Sequence, residues 1–183
     1  AMEQIGPATV VAYAGRFGFT GTMPPYLSLA LGAAEATLLE ATSAYSAFPN
    51  QGVRMTPHLV LSVADREGNV LEENRSEPHE AIRADTAFVM THLLEGVVQR
   101  GTAAAAASLE WPLAGKTGTV DNNTDAWFVG FDPDLTVGVW VGFDDNQPLG
   151  LSGTQAALPI WTEFMKGALA GRPSSASGVP GGA

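Results

Sequence analysis

Cysteine is absent from the 183 residues, and basic residues and histidines are few. Without cysteine, the chain can form neither a disulfide framework nor a thiolate metal site. The three histidines, His58, His79 and His92, are too scattered for zinc-ligand spacing. Nine basic residues against nineteen acidic ones give a formal net charge of −10, which leaves no basic stripe to hold phosphates. We therefore expect neither a bound metal nor a nucleic-acid partner.

Long apolar runs are also missing. No stretch approaches the length of a membrane span, and the first residues lack the charged and apolar regions of a signal peptide. We expect any export signal or anchor to lie outside this chain. A hydrophobic content of 45% is sufficient for one core. The composition predicts one globular unit over residues 1–170 and a flexible tail, rich in glycine, serine and proline, over 171–183.

Two short helices are predicted in the N-terminal third of the chain. Pro7 favours a helix start and Gly18 a stop, whereas Thr37 followed by Glu40 has the pattern of a capping box. The intervening segment 19–32 contains glycine and a proline pair, and it predicts an irregular surface connection.

Three further helices are expected. The segment from about Asp85 to Arg100 has apolar residues on two neighbouring sides, which favours a largely buried helix. These residues are Val89, Leu93 and Val97 on one side and Met90, Leu94 and Val98 on the other. The alanine run 101–108 predicts a short linking helix. A last helix beginning near Ala157 is expected to bury Leu158, Trp161, Met165 and Leu169.

Strand signals occur in two regions. A β-rich stretch over 58–71 contains a glycine-asparagine turn, which predicts a hairpin. Three closely spaced segments then predict an antiparallel meander, and they are Leu113 to Thr119, Asp125 to Phe131, and Thr136 to Phe143. In the last of these, valines alternate with Trp140, so both faces of the sheet are expected to be covered.

The residues with the clearest chemistry are Lys116, Thr117, Gly118 and Thr119, where the first strand of the meander ends. The lysine supplies a positive charge, the threonines supply hydroxyl donors, and the glycine leaves the backbone open to a substrate. An exposed strand edge can also take up an extended peptide as an added strand. The motif therefore predicts a carboxylate-binding site. An ordinary strand end without a ligand is the alternative for so short a motif.

A phosphate-binding P-loop is another interpretation of Gly115, Lys116 and Thr117. That pattern requires a glycine upstream at the position where this chain has Glu110. A P-loop also connects a strand to a helix, whereas this motif lies in a predicted strand meander. Both observations argue against phosphate binding.

Several segments around the motif form a recognisable series. They are AGKTGT, DAWFVGF, PDLTVGVWVGFDD and AALPIWTEFM, preceded by LLEATSAYSAFPNQG, TPHLVLSVADREGNVL and EGVVQRGTA. In order and spacing they resemble the bifunctional, class A penicillin-binding proteins that cross-link peptidoglycan. Lys-Thr-Gly is one signature of the serine-acylating superfamily that includes those proteins. The resemblance extends from Ile5 to about Leu169.

The resemblance implies a role for each residue of the motif. Lys116 would support proton transfer near the nucleophile and attract the terminal carboxylate of the substrate. Thr117 and Thr119 would grip that carboxylate, and Gly118 would complete the substrate-binding wall. The backbone N–H of Thr119 would be one of two oxyanion-hole donors.

Two other signatures of the superfamily are absent from these 183 residues. Leu113 and Glu163 stand three positions before the two lysines, Lys116 and Lys166, so no S-x-x-K pair exists. No serine has an asparagine or aspartate two positions later. In the family both motifs precede the part that this chain resembles. The resemblance therefore implies that the nucleophile and its base lie outside the chain, and that the chain alone is inactive.

The fold implied by the resemblance is α+β, with an antiparallel sheet flanked by helices, as in penicillin-binding proteins and serine β-lactamases. Residues 1–170 would form the C-terminal portion of this domain. They would supply three strands, without the first two strands and the central helix of the family. Asp125 and Trp127 are expected to fix the sheet instead of touching the substrate.

The implied activity is that of a peptidoglycan D,D-transpeptidase, which transfers an acyl group through a serine and needs no cofactor. Expected partners are a stem peptide ending in D-Ala-D-Ala, β-lactam antibiotics, and the missing N-terminal part of the domain or a second copy of the chain. The expected location is the periplasm or the outer face of the cytoplasmic membrane, with an N-terminal membrane anchor in the parent protein. A D,D-carboxypeptidase of the same fold and a catalytically silent peptide-binding module are the alternatives.

Overall fold

A three-stranded antiparallel sheet organises the molecule, as seen in a computed structural model that describes residues 2–173. The sheet contains β5, β6 and β7 in this order, and two smaller antiparallel pairs join β1 to β4 and β2 to β3. The strands are β1 Val53–Met55, β2 Ser62–Ala64, β3 Val70–Glu73, β4 Pro78–Glu80, β5 Ala114–Thr119, β6 Asp125–Phe131 and β7 Thr136–Gly142. The α-helices are α1 Met2–Ile5, α2 Pro7–Arg16, α3 Leu38–Ser46, α4 Ala84–Arg100 and α5 Ala157–Leu169.

Short connections set the register of the main sheet. Thr119 lies opposite Ala126 at one end of β5, and Ala114 lies opposite Phe131 at the other. The β6–β7 turn brings Phe131 opposite Thr136. The predicted antiparallel meander is confirmed, and β7 ends one residue earlier than expected, at Gly142.

Helix α5 covers one face of the sheet. Phe128 packs edge-on against Trp161, with ring centroids 4.9 Å apart, and both side chains are fully buried. The Trp161 indole N–H also donates to the Val137 carbonyl at 3.0 Å. Gly130 permits this approach, because a Cβ at that position would lie 2.7 Å from Trp161. The predicted burial of this helix is confirmed.

Helices α3 and α4 cover part of the opposite face. Phe131 packs with Leu94 of α4 and with Phe48, which follows α3. Near the middle of β7, a Cβ at Gly138 would overlap the hydroxyl of Thr42 in α3. These contacts hold the two helices against the end of the sheet where β5 begins.

The predicted capping box at the start of α3 is confirmed. The Thr37 hydroxyl accepts the Glu40 N–H at 3.1 Å, while the Glu40 carboxylate accepts the Thr37 N–H at 3.0 Å. The same carboxylate accepts the hydroxyl and N–H of Thr20, at 2.6 and 2.9 Å. These hydrogen bonds, that of the Thr20 hydroxyl foremost, lower the pKa of Glu40 from 4.5 to about 2. Glu40 thus joins the start of α3 to the segment that follows α2.

The predicted hairpin and the other helices are found, with two differences. The short linking helix expected in the alanine run is present as a 3-10 helix, Ala104–Leu109. Leu27–Leu31 also form a 3-10 helix, so 19–32 is not wholly irregular. The face of α4 formed by Val89 and Leu93 is 55% and 60% exposed. That helix is therefore less buried than expected, because it packs on the sheet through a narrower stripe, namely Ala87, Thr91, Leu94 and Val98.

The expectation that both sheet faces are covered is also wrong. Trp140 is 36% exposed, because α3 and α4 lie toward the opposite end of its face.

None of the helices in residues 2–173 combines the length and the apolarity that crossing a membrane requires. From position 174 onward, the expected tail lies outside the described residues, and the boundary at residue 170 stays a prediction.

An ion pair ties the end of α5 to the β6–β7 turn. One guanidinium nitrogen of Arg172 lies 3.2 Å from Oδ2 of Asp132, and another lies 3.0 Å from Oδ2 of Asp134. Asp132 is only 1% exposed, and its other carboxylate oxygen accepts the N–H groups of Asp134 and Leu135. A buried carboxylate needs such a partner, because water no longer solvates its charge.

Arg172→Met is expected to lower the free energy of unfolding by about 2–3 kcal/mol, because it leaves the Asp132 charge buried without its cation. Methionine keeps the apolar stem of the side chain. Urea unfolding of the intact protein measures the change. The matched control is Lys166→Met, which removes an exposed lysine 3.9 Å from Glu163 and should cost less than about 0.5 kcal/mol. Equal effects of the two substitutions would contradict this role of Arg172.

The lowered pKa of Glu40 predicts a pH-dependent contribution to stability. Because the carboxylate is favoured in the folded state, its contribution is complete above pH 4.5 and is lost as the pH falls through about 2. Glu40→Gln should therefore flatten part of the loss of thermal stability between about pH 5 and pH 2. Glu35→Gln, at a nearby exposed glutamate, is the control and should retain the wild-type profile. Identical profiles for Glu40→Gln and wild type would refute the prediction.

Candidate functional site

Strand β5 presents an open edge along the predicted motif. Among residues 2–173, its backbone pairs with β6 on one side only. An unpaired strand edge offers a row of N–H and C=O groups to an extended peptide. The edge therefore has the form that adding a peptide strand requires.

The four motif residues divide between the two faces of the sheet. Alternation along β5 puts Lys116 and Gly118 on one face and Thr117 and Thr119 on the other. Gly118 lies against Trp127, since a Cβ there would be 3.1 Å from the Trp127 Cβ. The two threonines are on the side of the sheet that α5 covers. The two threonine side chains therefore project from the same face of the strand.

The Lys116 side chain is exposed at this edge. Its Nζ donates to the carbonyl oxygen of Thr117 at 2.8 Å. Among the described side chains, no carboxylate forms an ion pair with it. Its positive charge is therefore available to an anionic group at the strand edge.

Both threonine hydroxyls have partners from other parts of the chain. The Thr117 hydroxyl lies 2.8 Å from the Thr102 hydroxyl, in the turn that follows α4. The Thr119 hydroxyl accepts the Gly153 N–H at 3.0 Å, from the turn that precedes α5. The two turns are themselves connected, because the Thr154 hydroxyl donates to the Thr102 carbonyl at 3.3 Å.

These supporting residues were not predicted from the sequence. Thr102 and Gly153 are 15 and 34 positions from their threonine partners, and no periodic pattern connects them. The available signal was indirect. Thr102 falls in the segment EGVVQRGTA, which resembles the family, and it lies just past the end of the helix that the first six residues of that segment complete.

Asp125 and Trp127 occupy the positions expected of sheet-fixing residues. The Asp125 carboxylate accepts the Trp140 indole N–H at 2.7 Å and the Thr124 hydroxyl at 2.9 Å. Trp127 lies opposite Trp140, with ring centroids 6.5 Å apart. These contacts join the start of β6 to the end of β7, beside the open end of β5.

Metal chemistry finds no support in the part of the chain that is described. No group of three or more metal-ligating side chains is brought together there. Strand β5 instead carries two hydroxyl groups on one face and one cation on the other. The hydroxyl groups suit the terminal carboxylate of an extended chain, which accepts hydrogen bonds, and the lysine supplies a positive charge at the same strand edge.

Comparison with known proteins places this geometry in a family. Residues 2–166 match the family model described as the penicillin binding protein transpeptidase domain. The chain is 42% identical to penicillin-binding protein 1A of Aquifex aeolicus over 167 residues, which are 90% of this chain and 23% of that protein. It is 38% identical to penicillin-binding protein 1A of Neisseria gonorrhoeae over a 191-residue alignment, covering 99% of this chain and 24% of that protein.

A solved structure shows the same arrangement of elements. The crystal structure of penicillin-binding protein 1A from Haemophilus influenzae matches 98% of this chain with a TM-score of 0.90 at 26% identity, and the match covers 33% of that structure. The predicted fold class is therefore confirmed. The chain spans about a quarter of the length of the two curated relatives.

Proposed function

The chain belongs to the penicillin-binding protein transpeptidase domain family, and from this premise we propose that it supplies one wall of the active site of a peptidoglycan D,D-transpeptidase. In the proposed reaction, a serine attacks the peptide bond of a D-Ala-D-Ala terminus and releases D-alanine. The acyl group then passes from the serine to an amine of a neighbouring stem peptide. The reaction uses no cofactor.

The proposal depends above all on the strand edge of β5. Lys116 has no ion-pair partner among the described side chains, and the Thr117 and Thr119 hydroxyls lie together on the other side of the strand. A stem peptide could extend along the open edge while its terminal carboxylate meets the two hydroxyls. The carboxylate of a β-lactam would occupy the same position.

Each residue then has a distinct chemical role. Lys116 supplies electrostatic stabilisation, and it supports proton transfer without being the nucleophile. Thr117 and Thr119 hold the carboxylate. Gly118 has no side chain that would block a substrate lying against the backbone. The Thr119 N–H donates to the oxyanion that forms in the transition state, where a preorganised donor is most effective.

The nucleophilic serine and its base would come from a segment outside these 183 residues, since no S-x-x-K pair occurs among them.

Exposed apolar side chains support the presence of a covering polypeptide. They lie on α4, at the Trp140 end of the sheet and on the outer side of α5, namely Phe88, Val89, Leu93, Trp140, Ile160 and Phe164. The covering polypeptide is the N-terminal part of the same domain or a second copy of the chain. The assembled enzyme would act outside the cytoplasm and be held there by an N-terminal anchor.

Lys116→Ala in the intact protein is expected to slow acylation by benzylpenicillin by about a hundredfold or more, because one preorganised contact to the transition state is lost. Second-order acylation rates with benzylpenicillin measure the change. Lys166→Ala, at an exposed lysine of α5, is the matched control and should remain near the wild-type rate. A rate for Lys116→Ala within about threefold of wild type would remove Lys116 from the mechanism. Product analysis with a stem peptide separates transfer to an amine from hydrolysis.

The isolated chain, residues 1–183, should take up no covalent penicillin label, because Lys116 has no positioned hydroxyl to activate. It should also self-associate, because its sheet edge and apolar surfaces lack their cover. Gel fluorescence after incubation with labelled penicillin checks the first expectation, and light scattering checks the second. A labelled band would overturn the chemical expectation, and a stable, cooperatively melting monomer would overturn the structural one.

A further inference from the structure

Three segments meet at the threonine side of β5. Thr102 follows α4, Thr117 and Thr119 lie in β5, and Gly153 precedes α5. The Thr102 and Thr117 hydroxyls are 2.8 Å apart, and the Gly153 N–H donates to the Thr119 hydroxyl at 3.0 Å.

The backbone on both sides of Thr102 is firmly held. The N–H groups of Gly101 and Ala103 both donate to the Val97 carbonyl, at 3.1 and 3.2 Å. Ala103 is fully buried. The Thr102 carbonyl also accepts the Thr154 hydroxyl at 3.3 Å. Thr102 therefore presents its own hydroxyl from a fixed backbone.

The turn before α5 is held as closely against β5. A Cβ at Gly153 would overlap the carbonyl oxygen of Gly118, so only glycine permits this approach. The Gly153 N–H occupies one lone pair of the Thr119 hydroxyl. Thr119 consequently keeps its own proton for donation away from the turn, because a hydroxyl has one proton and two lone pairs.

The count of protons and lone pairs also decides the donor at Thr117. Geometry alone permits either the Thr102 or the Thr117 hydroxyl to donate to the other. A bound carboxylate only accepts hydrogen bonds, so Thr117 must donate its proton to it. The proton between the two threonines must then come from Thr102. We propose that Thr102 is a positioning residue, which donates to Thr117 and so aims the Thr117 proton at the carboxylate of the substrate.

This inference rests on the proposed function, because it requires a carboxylate at the threonine hydroxyls. It assigns to Thr102 a role that acts only through Thr117. Loss of the Thr102 hydroxyl should therefore weaken the reaction of a carboxylate-bearing ligand while leaving the fold unchanged. Thr102 is exposed, so substitution there leaves the core untouched.

The test compares Thr102→Val and Thr102→Ser in the intact protein, with benzylpenicillin as the probe. Thr102→Val should slow second-order acylation about fivefold to tenfold, which is the scale of one hydrogen bond. Thr102→Ser keeps the hydroxyl and should stay within about twofold of wild type. Thr9→Val, at an exposed threonine of α2, controls for the loss of a surface hydroxyl.

A double-mutant cycle separates positioning from a general structural effect. In a Thr117→Val background, adding Thr102→Val should cause no further loss, because its only route to the substrate is already gone. An equal loss in both backgrounds, or a Thr102→Val rate equal to wild type, would overturn the inference. If Thr102→Val lowers the melting temperature, the same cycle is measured with Thr102→Ala.

The proposed function has a separate point of failure. If the wild-type intact protein is not acylated, or if Lys116→Ala reacts like wild type, the site is wrong and the inference fails with it. If acylation occurs and depends on Lys116, an unaffected Thr102→Val variant refutes the positioning role alone.

Discussion

The packing of Phe128 against Trp161 is the contact on which the other features of the molecule depend. It joins α5 to the sheet at a point where glycine leaves room for the indole ring. Edge-to-face aromatic pairs add about 0.5–1.5 kcal/mol to the free energy of burying the rings. The edge-to-face orientation of the two rings matters more here, because it fixes the position of α5 on the sheet. With α5 fixed on this face, the turn before it must pass beside the end of β5, where Gly153 meets Thr119.

The two ends of the sheet have different physical characters. At the β6–β7 turn, the buried Asp132 is tied down by backbone N–H groups and by Arg172, which makes this end rigid. At the other end, β5 keeps an open edge and Lys116 keeps its charge exposed. Rigid support on one side of an accessible polar edge favours binding, because the binding groups are held in place before the ligand arrives.

The site is made from short contacts between distant parts of the chain. The turn after α4 and the turn before α5 each support one threonine hydroxyl, and they also contact each other. Neither turn belongs to the Lys116–Thr119 motif. Each is positioned by the helix beside it, so the chemistry of the edge depends on packing in the core beneath it.

Local signals in the sequence determined much of this arrangement. The capping pattern of Thr37 and Glu40, the turn signals between strands and the valine alternation of β7 act over a few residues, and the corresponding elements are present. The Lys116–Thr119 motif and its flanks likewise led to the correct family. Tertiary structure alone decided which side of α4 faces the sheet, that Trp140 stays partly exposed, and that Thr102 and Gly153 reach the motif. Those outcomes depend on how distant elements pack and where the chain returns, and neither leaves a periodic trace in the sequence.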